Sequence, residues 1–184
     1  SRQHQWRTVT GGSRNYLDRL LEPLGDRLKL GLGVRAVIRA ETGIIIVDDR
    51  GEQRHFDKVI LAAHSDQTRR MLVDATEQEK RLLAAVPYQP NRVVLHREPM
   101  LMPQRRKVWA SWNYLRSSSA NGNADVAVTY WMNKLQAIDD RFPLFVTLNP
   151  DREPDPRKVF AEFSYEHPQF SADSVQAQRA LMDI

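Results

Sequence analysis

The side chains with the most chemical potential are aromatic rings and amides in two short segments. Trp109, Trp112, Asn113 and Tyr114 stand in one, and Tyr130, Trp131, Met132 and Asn133 stand in another. If the two segments pair across the polar stretch 117–123, the rings and both amides share one sheet. An aromatic wall with a few placed amides suits a planar apolar or amine-bearing ligand. The same residue types also fill ordinary sheet cores, with amides satisfying strand ends. The sequence leaves both readings open.

Other chemistries find less support. The five histidines, His4, His55, His64, His96 and His167, stand far apart with no helical metal-ligand spacing, so no metal site is expected. There is no cysteine, hence no thiolate nucleophile and no disulfide framework. Neither a GxSxG elbow nor a GxxxxGK[ST] loop occurs. Asp139, Asp140, Asp151 and Asp155 read as turn residues. Residues 31–36 match GxGxxA, but that motif acts only between a strand and a helix whose N-terminus meets a diphosphate. Here Val37, Ile38 and Arg39 lead into Thr42 and Gly43, which reads as strand and turn, and the match is rejected.

These segments must be positioned by a mixed set of elements. Gly11 and Gly12 open a helix that Ser13 can cap, with Tyr16, Leu17, Leu20, Leu21 and Leu24 on one face until Gly25 ends it. Residues 34–40 and 43–48 read as short hairpin strands with a turn at 49–51. The continuous apolar run 59–63 predicts a strand covered on both faces. A helix follows from His64 towards Leu72. Another starts at Thr76, where Thr76 and Glu79 form a capping box worth roughly 1 kcal/mol. Strands are expected at 92–96, 108–114, 126–132, 144–148 and 159–165, and a last helix at 171–182. Consecutive strands with short links favour a mostly antiparallel sheet.

The 184 residues suit one domain or two half-domains, and 41% apolar with 27% charged residues is ordinary globular composition. No apolar run reaches the ~20 residues of a membrane span. The absence of cysteine fits a cytoplasmic setting. The net charge of +4 is scattered, and its one tight cluster, Arg105, Arg106 and Lys107, reads as a solvated turn. No nucleic-acid partner is expected.

Taken together, several runs resemble the FAD-dependent amine oxidase superfamily, especially its bacterial branch of predicted NAD/FAD-binding proteins. The run 9–16 resembles the family's glycine pair that opens a helix. Val34, Arg35, Ala36 and Val37 resemble the strand whose valine lies beside the adenine. The run 56–64 is similar to the returning strand near the cofactor, with His64 where many relatives have proline. The runs 88–91, 109–114, 130–136 and 146–150 are specific to that branch. The resemblance implies an α+β chain: part of an FAD-binding α/β domain in residues 1–72, a mostly antiparallel substrate domain in 73–170, and a terminal helix in 171–184.

It also implies an internal piece of an FAD-dependent oxidoreductase that removes a hydride from a small apolar or amine-bearing substrate. Val34, Ala62, Ala63 and His64 would be cofactor-binding. Arg97, Trp112, Asn113, Tyr130, Trp131 and Asn133 would be substrate-binding. The family's strand–GxGxxG–helix unit is not in this sequence, so the piece alone is expected neither to hold FAD nor to turn over. In 93–99, Arg97 stands at the position of a lysine that assists reoxidation by oxygen in many relatives. A guanidinium is not a substitute for that lysine, so oxidase, dehydrogenase and desaturase chemistry all stay open. The alternative is a non-catalytic binding or interaction module using the same aromatic face.

Overall fold

A computed structural model describes residues 7–116 and 126–181. Among them are α1 (Arg14–Leu21), α2 (Ser65–Met71), α3 (Glu77–Ala84), α4 (Met132–Gln136) and α5 (Ala172–Ala180). The strands are β1 (Val34–Arg39), β2 (Ile44–Asp48), β3 (Gln53–Phe56), β4 (Tyr88–His96), β5 (Trp112–Arg116), β6 (Val126–Trp131), β7 (Phe145–Leu148) and β8 (Val159–Pro168). The chain is α+β, as expected. It divides into two compact units, Ser1–Gly25 with Pro90–Tyr165, and Asp26–Gln89 with Glu166–Ile184.

In the second unit, β1, β2 and β3 form an antiparallel sheet in that order, with Val37 opposite Ile46 and Ile46 opposite Arg54. The β2–β3 turn is built by Asp48, whose buried carboxylate accepts the Arg50 and Glu52 N–H groups at 2.9 and 3.0 Å. The GxGxxA glycine now has a different reason. Gly33 runs directly into β1, and a Cβ there would meet Asp49 Oδ2 at 2.2 Å, because that carboxylate accepts the Gly33 N–H at 2.9 Å. The motif serves a hairpin, not a phosphate.

Arg39 at the end of β1 binds Asp74 at 2.9 Å and also Glu79. Glu79 closes the expected capping box with Thr76, so one carboxylate caps α3 and ties it to the sheet. α3 packs on both α2 and α5, and α5 carries its own box between Ser171 and Ser174. The boundary drawn from sequence at residue 72 thus falls inside this unit.

Two local expectations are corrected. The run 58–63 belongs to no sheet, and Ile60 is 93% exposed. A buried strand needs neighbours to complete its ladder, and no described residue supplies them. Ser13 makes no side-chain cap: it is itself helical, at φ −66° and ψ −24°. The glycine pair makes the turn instead, Gly11 and Gly12 having φ of 79° and 90°, a region L-residues avoid. The apolar stripe of α1 (Tyr16, Leu17, Leu20) lies exposed.

In the first unit a five-stranded sheet has the order β5-β6-β7-β4-β8. β5 starts at Trp112, opposite Tyr130, and the two segments expected to be adjacent are adjacent. Side chains alternate across a sheet with period two. One face therefore carries Asn113, Ala127, Thr129, Trp131, Phe145, Thr147, Val94 and His96. The chain after β4, with short 3-10 turns at Pro99–Leu101 and Arg106–Val108, lies over it and buries Leu101 and Met102. Val94, Leu101 and Phe145 are essentially inaccessible, and each such side chain contributes roughly 1.5–3 kcal/mol. The opposite face carries Trp112, Tyr114, Val126 and Tyr130 and stays largely open, with Trp112 42% and Tyr114 70% exposed.

Candidate functional site

In the second unit, the exposed run after β3 folds back near β1 and α2. It encloses an apolar trough of about 590 Å³ lined by Val34, Val37, Ile46, Met71 and residues 59–63, with Arg35, Gln67 and Arg70 adding polar groups. Three of the four residues expected at the cofactor, Val34, Ala62 and Ala63, meet there. The fourth, His64, follows directly. Its ring stacks on Tyr88 with centroids 4.3 Å apart, and the Tyr88 hydroxyl accepts the Ser65 N–H at 3.0 Å. Sequence reasoning saw Tyr88 only as part of a run; a stack across 24 positions leaves no local signal.

This corner has a second property. His64 Nδ1, Ser65 Oγ and Asp66 Oδ1 are buried and have no hydrogen-bond partner. The other oxygen of Asp66 binds Arg70 at 2.8 Å. Orphaned buried polar atoms are uncommon and call for an explanation.

The substrate-side segments share one sheet, as expected, and their side chains divide between its two faces. Trp112 and Tyr130 pair on the open face, edge to face at 6.3 Å. Trp131 turns to the covered face, where Trp109 packs edge-on against it at 5.3 Å and against Phe145 at 5.8 Å. Trp109 lies outside β5, in the covering segment, and its Nε1 donates to the Pro103 carbonyl at 2.7 Å.

Both amides are fully engaged within the chain. Asn113 is buried; it accepts the Ala110 N–H at 3.0 Å and donates to the Ala110 and Thr129 carbonyls at 2.7 and 3.2 Å. Asn133 accepts the Leu144 N–H at 2.8 Å and donates to the Asp139 and Phe142 carbonyls at 3.0 and 2.9 Å, closing the loop after α4. Asn91 and Asn149 form a similar latch at 2.7 Å. These asparagines hold loops.

His96 is likewise structural. Its Nδ1 accepts the Glu98 N–H at 3.0 Å, which leaves the proton on Nε2, 2.7 Å from Thr147 Oγ1. Thr147 and Thr129 hydroxyls meet at 2.9 Å, and Thr129 donates to the Leu101 carbonyl at 2.9 Å. The chain of bonds ends on a backbone oxygen with every member satisfied. Burial pushes the imidazole down to about 4, against the opposing pull of Glu98, so it is neutral near pH 7. Glu98 is buried too. Desolvation acts against its charge, but Lys158 at 2.9 Å and the Met100 N–H outweigh that and lower its pKa. Arg97 is exposed, its N–H on the Lys158 carbonyl at 2.9 Å, and it pairs with no carboxylate among the described residues.

The family of flavin containing amine oxidoreductases matches residues 1–97, more than half of the 184. The chain belongs to this family. Flavin is the family's defining group, and FAD is accordingly the cofactor of the parent protein. Among solved structures, a fatty acid isomerase from P. acnes that produces CLA is similar at 14% identity and a TM-score of 0.57, over 90% of this chain and 42% of that one. A putrescine oxidase triple mutant is similar at 16% identity and a TM-score of 0.50, over 76% and 29%. These likenesses show a shared fold, and the chain spans less than half the length of either neighbour. Curated protein sequences give no match.

In this flavin-family chain the apolar trough around Val34, Ala62 and Ala63 offers room for a flat apolar ring. The diphosphate of FAD normally rests on a glycine-rich turn at a helix N-terminus, and this sequence holds no such unit. No helix among the described residues is long and apolar enough to cross a membrane.

Proposed function

We propose that this chain is the part of an FAD-dependent oxidoreductase that holds the adenosine side of the cofactor and forms one wall of the substrate site. The observation that carries the reading is the meeting of Val34, Ala62 and Ala63 in one apolar trough within the family-matched residues. Residues 1–72 contribute the cofactor side, and the substrate side lies within 73–170. When bound, the flavin supplies hydride acceptance.

The chain's own residues bind, orient and exclude water. Val34, Val37, Ile46 and residues 59–63 keep one end of the cofactor dry. Trp112 and Tyr130 offer an apolar, half-exposed surface on which a flat or aliphatic substrate lies. The amides of Asn113 and Asn133 support that surface from behind and below rather than contacting substrate. Arg97 lies beyond the end of β4, with its guanidinium 3.5 Å from the Arg157 carbonyl on the β8 side of the sheet. The substrate is a small apolar or amine-bearing molecule.

The test uses the full-length protein and its own substrate turnover. Trp112→Ala and Tyr130→Ala should lower turnover or substrate affinity at least tenfold with FAD content unchanged. Because Trp112 is 42% exposed, its removal should cost stability only about 1 kcal/mol, the scale of one edge-to-face pair. A loss of 3–5 kcal/mol, the cost of truncating a packed core ring, would make these rings structural and remove the substrate wall.

A further inference from the structure

Two turns of the first unit meet at the surface. One is the 3-10 turn Arg106–Val108 of the covering segment, closed by the Val108 N–H on the Arg105 carbonyl at 3.0 Å. The other follows α4, where the Phe142 N–H donates to the Asp139 carbonyl at 2.9 Å and Asn133 donates to the Phe142 carbonyl at 2.9 Å. Arg106 joins the two through Asp140 at 3.4 Å. Both backbones are thus fixed, yet each turn holds an apolar side chain in solvent: Val108 is 60% and Phe142 65% exposed. Trp109, the residue after Val108, turns inward onto Trp131 and Phe145.

Cations accompany both apolar side chains. Asp139 holds Arg141 at 2.7 Å, and Asp140 holds Arg106. Arg105 and Lys107 are exposed and pair with no carboxylate among the described residues. The Arg141 guanidinium lies over the Phe142 ring, 5.7 Å from its centroid, so charge and ring share one stretch of surface. We propose that this patch is a docking surface for a bilayer carrying anionic lipid. Val108 and Phe142 enter the headgroup boundary, and Arg105 and Lys107 meet the lipid phosphates. The combination selects the partner. Lone exposed apolar residues are ordinary, and a nucleic acid is gripped at its phosphates by cations alone. A bilayer offers negative charge with an apolar layer directly beneath it, which uses both halves of the patch.

The experiment is flotation of the full-length protein with phosphatidylcholine vesicles, made with and without phosphatidylglycerol. Wild-type protein should float with the anionic vesicles and stay behind with the neutral ones, and added salt should weaken the binding. Replacing Arg105 and Lys107 together by glutamine should weaken it at least tenfold, on the scale of two lipid-facing cations. Phe142→Ser and Val108→Ser should each weaken it severalfold through lost apolar insertion. Melting temperatures should match the wild type, because both side chains are exposed. Flavin content should match too, since neither lines the trough. Wild-type protein that leaves anionic vesicles unbound would overturn the proposal. So would Phe142→Ser and Val108→Ser variants that float like the wild type: binding through charge alone would mark a general polyanion site, which competition by duplex DNA would reveal.

Discussion

Two histidines, both held by a neighbouring ring, differ in burial and in the pairing of their polar atoms. His96 is wholly buried in the five-stranded sheet with both ring nitrogens bonded, and its network runs through two threonines to a carbonyl. His64 is held as firmly, by a stacked tyrosine, yet its Nδ1 and two neighbouring polar atoms have no partner. A closed network is complete without a ligand and contributes to one fixed packing. An open one carries the cost of its unpaired atoms, about 1–3 kcal/mol each. The difference separates a network complete within the chain from one that is not, and burial runs the same way, His96 being wholly buried and His64 only partly.

The comparison breaks most directly on phenylalanine substitution of the apoprotein. His96→Phe strands the Glu98 N–H and the Thr147 hydroxyl inside the sheet, and should cost about 3 kcal/mol or more in chemical denaturation. His64→Phe strands nothing of this kind and should be neutral or stabilising. Equal losses at both positions would erase the distinction.

The pH dependence sharpens it. With a folded pKa pushed down to about 4 and an unfolded one near 6.5, His96 takes up a proton more readily in the unfolded chain. Its contribution is fully present above pH 6.5 and is lost as pH falls from about 6.5 to 4, by about 3 kcal/mol in all. Denaturation at a series of pH values should trace that decline, and His96→Gln should flatten it between pH 6.5 and 4.5. A wild-type curve already flat across that window would mean that the imidazole is not held neutral.

The smallest effect concerns the loop that Asn133 latches. Ala137 adopts φ 53° at the end of α4, a left-handed conformation that alanine occupies at a cost. Ala137→Gly should stabilise the chain by about 0.5–1 kcal/mol in thermal melts, because the latch of Asn133 rather than the residue itself imposes that geometry.

What could be read in advance follows the range of the forces involved. The Thr76–Glu79 box is local, a matter of three residues, and forms as expected. The pairing of Trp112 with Tyr130 was legible because alternation and a polar connection constrain a hairpin. Trp131, next to Tyr130 on β6, points to the other face by strand alternation, but its packing against Trp109 of the covering segment has no local signal. The run 58–63 has the composition of a buried strand, but a ladder needs partners that composition does not reveal. The stack of Tyr88 on His64 and the closed network of His96 come from tertiary packing, as do the engaged amides of Asn113 and Asn133. No local pattern announces them.

The central claim is that this chain supplies the adenosine side of an FAD site whose phosphate grip lies in a glycine-rich unit its sequence does not contain. Calorimetric titration with FAD tests it most directly, on the full-length protein and on the 184-residue chain side by side. The account predicts one tightly bound FAD per full-length chain. For the 184-residue chain it predicts no stoichiometric binding tighter than about 10 μM, a free energy near −7 kcal/mol. Stoichiometric binding by the short chain below that concentration would place a phosphate site within it, and a full-length protein without affinity for FAD would contradict the account outright.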